Sequence, residues 1–367
     1  MAAQRVVVKI GTSVLTGGTP RLSRQRMLEV VQQAARQHQA GHEIALVSSG
    51  AVAAGRERLN FPHFGRSVPA KQMLAAVGQS RLMQLYGDLF DIFGIVVAQV
   101  LLTREDIGNR TRFLNARDTL LTLISRRIVP IINENDTIAT HEIRVGDNDN
   151  LSALVATLID ADTLVLLTDQ PGLFTADPRT HEDAQLIPRV TRIDETLWAL
   201  AGDTVSGLGT GGMMTKIQAA QLASRSGVTT VIASGDDPDT LERIMKGEPV
   251  GTRFDPTASP LESRKRRLLM EKTRGAVRID GGAARMLLNG GASLLPVGIT
   301  DVERDFERGE TISVIAPDGS EIAHGLTSYD SEAVRKLRGL KSAQIVETLG
   351  YSYGDAVIHR NNMVLLR

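Results

Sequence analysis

No cysteine occurs among the 367 residues. That removes disulfides, thiolate nucleophiles and Cys-ligated zinc from the chemistry available, and it fits a reducing compartment. The seven histidines show no metal-ligand spacing, and no Ser/His/Asp arrangement stands out. An excess of either charge is also missing. Lys plus Arg and Asp plus Glu both number 42, so the chain as a whole has no electrostatic bias toward nucleic acid or anionic membrane. Its longest apolar run, residues 94–102, is far too short to span a bilayer, and the first eight residues carry no signal-peptide pattern. No internal repeat or low-complexity tract is found. A soluble, cytoplasmic protein without membrane contact is expected. The length allows two domains, or one large and one small.

What the chain does have is glycine concentrated in one place. Gly207, Gly209, Gly211 and Gly212 fall within six residues, just before Met213, Met214, Thr215 and Lys216 and the helical run 217–224. Such a run holds neither strand nor helix. It frees backbone N–H groups to point at one guest, and the following helix adds the positive end of its dipole, so the segment reads as an anion cradle. Lys216 stands in the first turn, where a cation is unfavourable unless an anion sits between it and the dipole. The spacing is not that of a P-loop, because Thr215 rather than Gly precedes Lys216. The plainer alternative is a flexible linker that abuts a helix. Met213 and Met214 read as pocket lining or as packing.

Along the chain, strands are expected at residues 5–10, 43–47, 95–102, 128–132, 163–167 and 228–233, with helices at 22–39, 71–93, 112–127 and 151–159. Alternating strand and helix over some 250 residues argues an α/β domain with a mainly parallel sheet. Ligands bind such sheets outside the carboxyl ends of the strands. Those ends carry Gly11-Thr12, Ser49-Gly50, residues 133–136 and Thr168-Asp169, so nearly every polar or glycine-rich cluster belongs on one rim. The four residues Asp147, Asn148, Asp149 and Asn150 precede the helix at 151–159, which is more than one helix cap requires.

The texture changes after Val250. Residues 255–260 are linker-like, and Arg264, Lys265, Arg266 and Arg267 form a basic run. Short strands follow at 276–279, 311–315, 321–323, 356–359 and 363–366, a small β-rich domain. From residue 273 onward there are eleven Lys/Arg against twelve Asp/Glu. That balance does not favour RNA binding as a primary role.

Lys9 and Lys216 at two strand or loop ends, with Asp149 and the glycine cradle, suggest phosphoryl transfer, where the protein positions groups and neutralises moving charge. Asp147, Asp149 and Asp169 are the carboxylates available to hold Mg²⁺ or to orient the lysines. No general base is evident among these residues.

Six segments, residues 9–15, 48–56, 133–136, 146–153, 167–178 and the cradle through Lys216, closely resemble in this order the amino acid kinase family, in its members that phosphorylate the γ-carboxylate of glutamate. The C-terminal part resembles the PUA domain, an RNA-modification-type β barrel that many such kinases carry. The resemblance implies ATP-dependent conversion of L-glutamate to L-glutamyl 5-phosphate, the first step toward proline, with Mg²⁺ accompanying ATP. It implies an α/β fold with a mainly parallel sheet sandwiched by helices over residues 1–255, a linker at 256–273 and a PUA domain at 274–367. Lys9 and Lys216 would contact the phosphoryl groups, with Asp149 orienting both. Ser49, Asp136 and Asn148 would hold glutamate. Lys9, Gly11, Thr168 and Asp169, together with Thr210, Gly211, Gly212, Met213, Met214, Thr215 and Lys216, would line the nucleotide site. A homodimer or tetramer and feedback inhibition by proline are also implied. Two rivals stand beside this reading. One is another carboxylate or carbamate kinase of the same superfamily, distinguished by the polar groups around residues 133–136. The other is a nucleotide-sensing RNA-binding protein, against which Lys9 and Asp149 count, since a sensor needs no machinery for transfer.

Overall fold

The computed structural model describes residues 3–61, 67–139, 148–202, 212–257 and 259–366. The chain divides into two compact units, one of Met1–Ile107 and Thr119–Ser259, the other of Gly108–Asp118 and Pro260–Arg367.

The first unit is built on strands β1 (Arg5–Ile10), β2 (Glu43–Ser48), β3 (Val97–Leu102), β4 (Val129–Glu134), β5 (Thr163–Thr168), β6 (Arg189–Val190), β7 (Thr229–Ser234) and β8 (Thr252–Phe254). They form one sheet in the order β3-β4-β2-β1-β5-β7-β8-β6. Every pairing is parallel except β7 with β8. The central strands are almost wholly buried, as near-continuous β-branched and leucine runs must be when helices cover both faces. The helices are α1 (Thr12–Thr16), α2 (Arg24–Gln39), α3 (Ala51–Arg58), α4 (Val68–Asp91), α5 (Arg104–Gly108), α6 (Arg110–Ser125), α7 (Asn148–Leu158), α8 (Glu195–Gly202), α9 (Met213–Arg225) and α10 (Thr240–Met245).

Alternation along the strands sorts these helices onto two faces. Val6, Val8, Ile10, Ile44, Leu46, Val165 and Leu167 join one core with Met27, Val30, Val31 and Ala34 of α2 and Leu82 and Phe90 of α4. The intervening residues, Val7 and Lys9 among them, therefore face the other side, where α7 packs on β1 and β5 and α9 packs on α7 and β7. A lysine one residue before the end of a central strand thus points at the start of a helix. On the first face, α3 and α4 touch backbone to backbone. A Cβ on Gly78 would lie 1.8 Å from the Ala51 carbonyl oxygen, and one on Gly55 would lie 1.9 Å from that of Leu74.

The second unit holds α11 (Pro260–Met270), β9 (Gly275–Ile279), α12 (Gly281–Gly290), β10 (Ile299–Glu303), β11 (Thr311–Ile315), β12 (Glu321–Leu326), α13 (Ser331–Leu337), α14 (Ile345–Leu349) and β13 (Met363–Leu365). Its sheet runs β10-β9-β11-β12-β13, antiparallel but for β9 with β11. Several details depart from the sequence reading, which did not anticipate α12, α13 or α14. The stretch read as a strand at 356–359 contributes only a bridge between Ile358 and Leu294. β10, with the polar pattern Ile-Thr-Asp-Val-Glu, was not anticipated. The stretch 256–273, read as a linker, carries α11, whose Leu268 is buried with Leu326 and Val364. The start of α6 also belongs to this unit. The Arg308 guanidinium donates to Asn115 and to Asp118 and lies 3.6 Å from the Tyr353 ring centroid. Among the described residues no helix is long and apolar enough to cross a membrane.

Candidate active site

Asp149 sits in the first turn of α7, one turn earlier than a helix beginning at Leu151 would place it. An acidic side chain is favoured there by the helix dipole, and Asn and Asp close to a helix start blur its boundary in sequence. The position brings Asp149 Oδ1 to 2.6 Å from Lys9 Nζ. Its Oδ2 lies 3.4 Å from Lys216 Nζ and 2.7 Å from the Thr215 hydroxyl, which also reaches the Gly212 carbonyl oxygen at 2.8 Å. Lys9 and Lys216 are each 6% exposed and Asp149 is 1% exposed. Three charges from β1, α7 and α9 are therefore gathered in a nearly dry place, where Coulomb interactions are strong.

Burial alone would raise the Asp149 pKa, but the charges of Lys9 and Lys216 and the hydrogen bonds from Lys9 and Thr215 outweigh it and bring it down to about 2. Lys216 is lowered from the ordinary lysine value by burial, with Asp149 opposing and Lys9 adding to the shift. One carboxylate cannot fully compensate two ammonium groups. The trio carries a net positive charge beside the N-terminus of α9, whose N-cap Gly212 supplies no side-chain hydrogen bond. An anion fits that surplus.

On one side of the trio lies a groove lined by Thr168, Asp169, Gly172, Leu173, Phe174, Asp177, Pro178, Arg179, Leu200, Gly212, Met213 and Lys216. Thr168 donates to Asp169 Oδ1 at 3.0 Å, and Arg179 grips Asp177 through Nε and Nη2 at 3.0 and 2.7 Å. Gly11 caps α1 and donates its N–H to the Leu167 carbonyl at 3.1 Å. A Cβ there would stand 4.0 Å from Lys9 Nζ, so glycine leaves the approach to that ammonium open. Met213 lines the groove; Met214 is half-buried beside it in the chain. Thr210, Gly211 and Asp147 lie outside the described residues.

On the other side are polar side chains from β2, β4, α4 and α7. Asn148 Nδ2 donates to the Ser48 carbonyl at 2.7 Å and reaches Asn133 Oδ1 at 3.0 Å and Ser49 Oγ at 3.1 Å. Asn133 in turn donates to Gln79 Oε1 at 2.8 Å. The buried Ser48 hydroxyl meets the Tyr86 hydroxyl at 2.8 Å. Gly50 has φ of 97° and turns the chain from β2 into α3, a conformation that favours glycine. Asp136 is half-buried in the turn after β4, its pKa raised by burial and pulled back by Lys71. Asn133, Gln79, Ser48 and Tyr86 were absent from the sequence-derived site, as were Leu173, Phe174, Asp177, Arg179 and Leu200. Asn133, Ser48 and the groove residues from Leu173 to Asp177 lay inside motifs already singled out, whereas Gln79 and Tyr86 lie within a long helix and give no signal.

Among the described residues no group of three or more His, Cys, Asp or Glu is arranged to hold a metal ion. Both Asp149 oxygens face Lys9, Thr215 and Lys216. Of the carboxylates named for Mg²⁺, Asp169 lines the groove, and one carboxylate together with phosphate oxygens is an ordinary ligand set for that ion.

The parallel sheet, the groove at its carboxyl edge and the buried lysine pair are those of a phosphoryl-transfer enzyme of the α/β class. The profile of the amino acid kinase family matches residues 4–234 and that of the PUA domain matches residues 275–349. The chain belongs to the amino acid kinase family. It is 56% identical over 362 residues to the glutamate 5-kinase of Cronobacter sakazakii and 54% identical over 363 residues to that of Serratia marcescens, with 99% of each chain covered in both cases. Among solved structures, UMP kinase from Bacillus anthracis aligns with a TM-score of 0.48 at 15% identity, covering 70% of this chain and 97% of that one.

Proposed function

We propose that this protein is a cytoplasmic kinase that transfers the γ-phosphoryl group of ATP to the γ-carboxylate of L-glutamate. The product is L-glutamyl 5-phosphate, and the reaction is the first step of proline biosynthesis. The observation that carries the reading is the buried Lys9–Asp149–Lys216 trio, which has one cation in excess and a groove and a polar pocket beside it.

In this reading the groove behind Thr168, Asp169 and Met213 takes the nucleotide, with Gly11 and the α9 N-terminus next to its phosphates; Thr210 and Gly211, expected at the same site, lie outside the described residues. Ser49, Asp136 and Asn148 hold glutamate. A carboxylate oxygen of glutamate forms the new bond to the γ-phosphorus as the bond from that phosphorus to the bridging oxygen of ADP breaks. Charge moves onto the leaving oxygen, and Lys9 and Lys216 meet it with donors already in place. Asp149 is no general base. Its carboxyl is held near 2, and the acceptor has no proton to give up at neutral pH. Its part is to orient the two lysines. ATP supplies the transferred group, and the Mg²⁺ expected with it finds no cage among the described residues.

A homodimer or tetramer and inhibition by proline, which shares the amino-acid head group, belong to the same reading. Residues 274–367 act as the PUA domain. RNA is a poor partner for the cleft lined by Asp305, Glu307, Glu310, Asp330 and Glu332, because those carboxylates repel phosphate. The test is ATP consumption by the purified protein with L-glutamate, L-aspartate and N-acetyl-L-glutamate side by side. Turnover with glutamate far above the other two is expected; preference for N-acetylglutamate or aspartate overturns the reading.

A further inference from the structure

Three side-chain amides form a chain whose polarity is set by the backbone. The Ser48 carbonyl can only accept, so the Asn148 atom at 2.7 Å from it is the nitrogen. The Glu134 N–H can only donate, so the Asn133 atom at 2.9 Å from it is the oxygen. That leaves Asn133 Nδ2 to donate to Gln79 Oε1 at 2.8 Å, while Asn133 Oδ1 faces Asn148 Nδ2 at 3.0 Å. With Asn148 Nδ2 turned toward these two acceptors and toward the Ser49 hydroxyl at 3.1 Å, its Oδ1 is turned away from them. Asn148 is 8% exposed, and among the described residues Oδ1 is buried with no hydrogen-bond partner. A buried carbonyl oxygen left unpaired costs on the order of 1–3 kcal/mol, so a site that keeps one is shaped for a donor from outside.

Taking glutamate as the acceptor substrate, a premise that rests on the proposed function, the donor is identified by elimination. Both carboxyl groups of glutamate are ionised at neutral pH and only accept. Its one donor is the α-ammonium. We propose that Gln79 is a positioning residue for substrate recognition: by accepting from Asn133 Nδ2 it holds Asn133 Oδ1 against Asn148 Nδ2 and so steadies the orientation set by the Ser48 carbonyl, with Asn148 Oδ1 presented to the α-ammonium of glutamate. Gln79 touches neither phosphoryl group nor lysine; it acts through two intervening amides. The arrangement makes the site select a free amino group, which separates glutamate from the same dicarboxylate without one.

The experiment compares full-length wild type with Gln79→Leu, Gln79→Ala and Gln79→Glu. The readout is the ratio of kcat/KM for L-glutamate to that for glutarate, or of binding constants where glutarate acts only as a competitive inhibitor. Removing the acceptor in Gln79→Leu and Gln79→Ala lowers the ratio by about three- to tenfold, the worth of one hydrogen bond. Gln79→Glu keeps an oxygen for Asn133 and restores it. A merely structural role lowers activity on both substrates together and leaves the ratio where it was. An unchanged ratio in both apolar variants, or an equal fall in Gln79→Glu, overturns the inference while the kinase reading stands. Wild type that fails to phosphorylate glutamate overturns the reading itself, and the inference with it.

Discussion

Replacing Asp149 by Asn removes the anion and keeps the shape. The carboxylate serves two lysines, each 6% exposed, at 2.6 and 3.4 Å. Its pKa in the fold is about 2 against 3.8 for the free group, worth roughly 2–3 kcal/mol at 1.36 kcal/mol per unit. Because the folded value is the lower one, that contribution is complete above about pH 4 and is lost as the pH falls toward 2. At neutral pH the variant loses all of it and leaves two buried ammonium groups facing each other, a change typically costing on the order of 3–5 kcal/mol. The protein relieves this by releasing a proton from Lys216, whose pKa burial and Lys9 already lower and which Asp149 and Asp169 hold up.

The kinetic consequence is specific. A misplaced or neutral lysine removes a cation from the transition state, so kcat falls by about 10²–10³, more than KM for ATP rises. The residual activity also acquires a pH dependence. It persists at the acidic end, where Lys216 stays protonated, and declines with rising pH earlier than that of wild type. Initial rates from pH 6 to 9 at saturating ATP and glutamate, with urea unfolding at each pH, separate loss of fold from loss of charge. A folded variant within threefold of wild-type kcat refutes the reasoning. So does a residual activity whose pH profile matches that of wild type.

Other outcomes follow from the same geometry. Lys9→Met and Lys216→Met each lower kcat by about 10²–10³, read in single-turnover experiments; near-normal kcat with weakened ATP binding makes the lysines binding elements only. Gly78→Ala drives a Cβ to 1.8 Å from the Ala51 carbonyl oxygen and must part α3 from α4, costing about 1–3 kcal/mol or more; an unchanged urea midpoint shows that the helices yield freely. Arg308→Ala removes a side chain 8% exposed that stacks on Tyr353 and donates to Asn115, Asp118 and the Ser328 carbonyl. A loss on the order of 2 kcal/mol appears as a lower unfolding midpoint of the full chain, and no shift refutes it.

The central strands were legible because they are buried on both faces and so read as unbroken β-branched runs; β1 and β2 begin where the sequence suggested, and β5 runs on by one residue to Thr168, whereas β6 and β8, of two and three residues, were not read. Lys9, Asp149 and Lys216 were legible for the opposite reason, as charges where apolar or capping residues belong. The start of α7 was not, since Asn and Asp suit both a loop and a first turn. Neither was β10, whose Thr300 and Asp301 face solvent at the sheet edge, nor α11, hidden under proline and a basic run. Gln79 lies mid-helix, where glutamine is an ordinary helix former. Its significance comes from Asn133, 54 residues away, and long-range pairing of that kind leaves no local pattern. Arg308 and Asp118, 190 residues apart, escaped notice for the same reason.

Two features that look awkward separately make sense together. Lys216 stands in the opening turn of α9, where the helix dipole opposes a cation, and Asp149 stands in the opening turn of α7, where the dipole welcomes an anion. α7 packs against α9, so the favoured anion reaches the disfavoured cation and partly relieves it. The relief is incomplete because Asp149 is also 2.6 Å from Lys9. What remains on the trio itself is one net positive charge, beside the start of α9 and against the groove. A neutral trio would bind phosphate weakly, and a trio without its carboxylate would not hold two lysines charged in a dry site. The single shared carboxylate lies between these failures. In the proposed mechanism it keeps both cations in place and leaves charge for the phosphoryl group to balance as it moves.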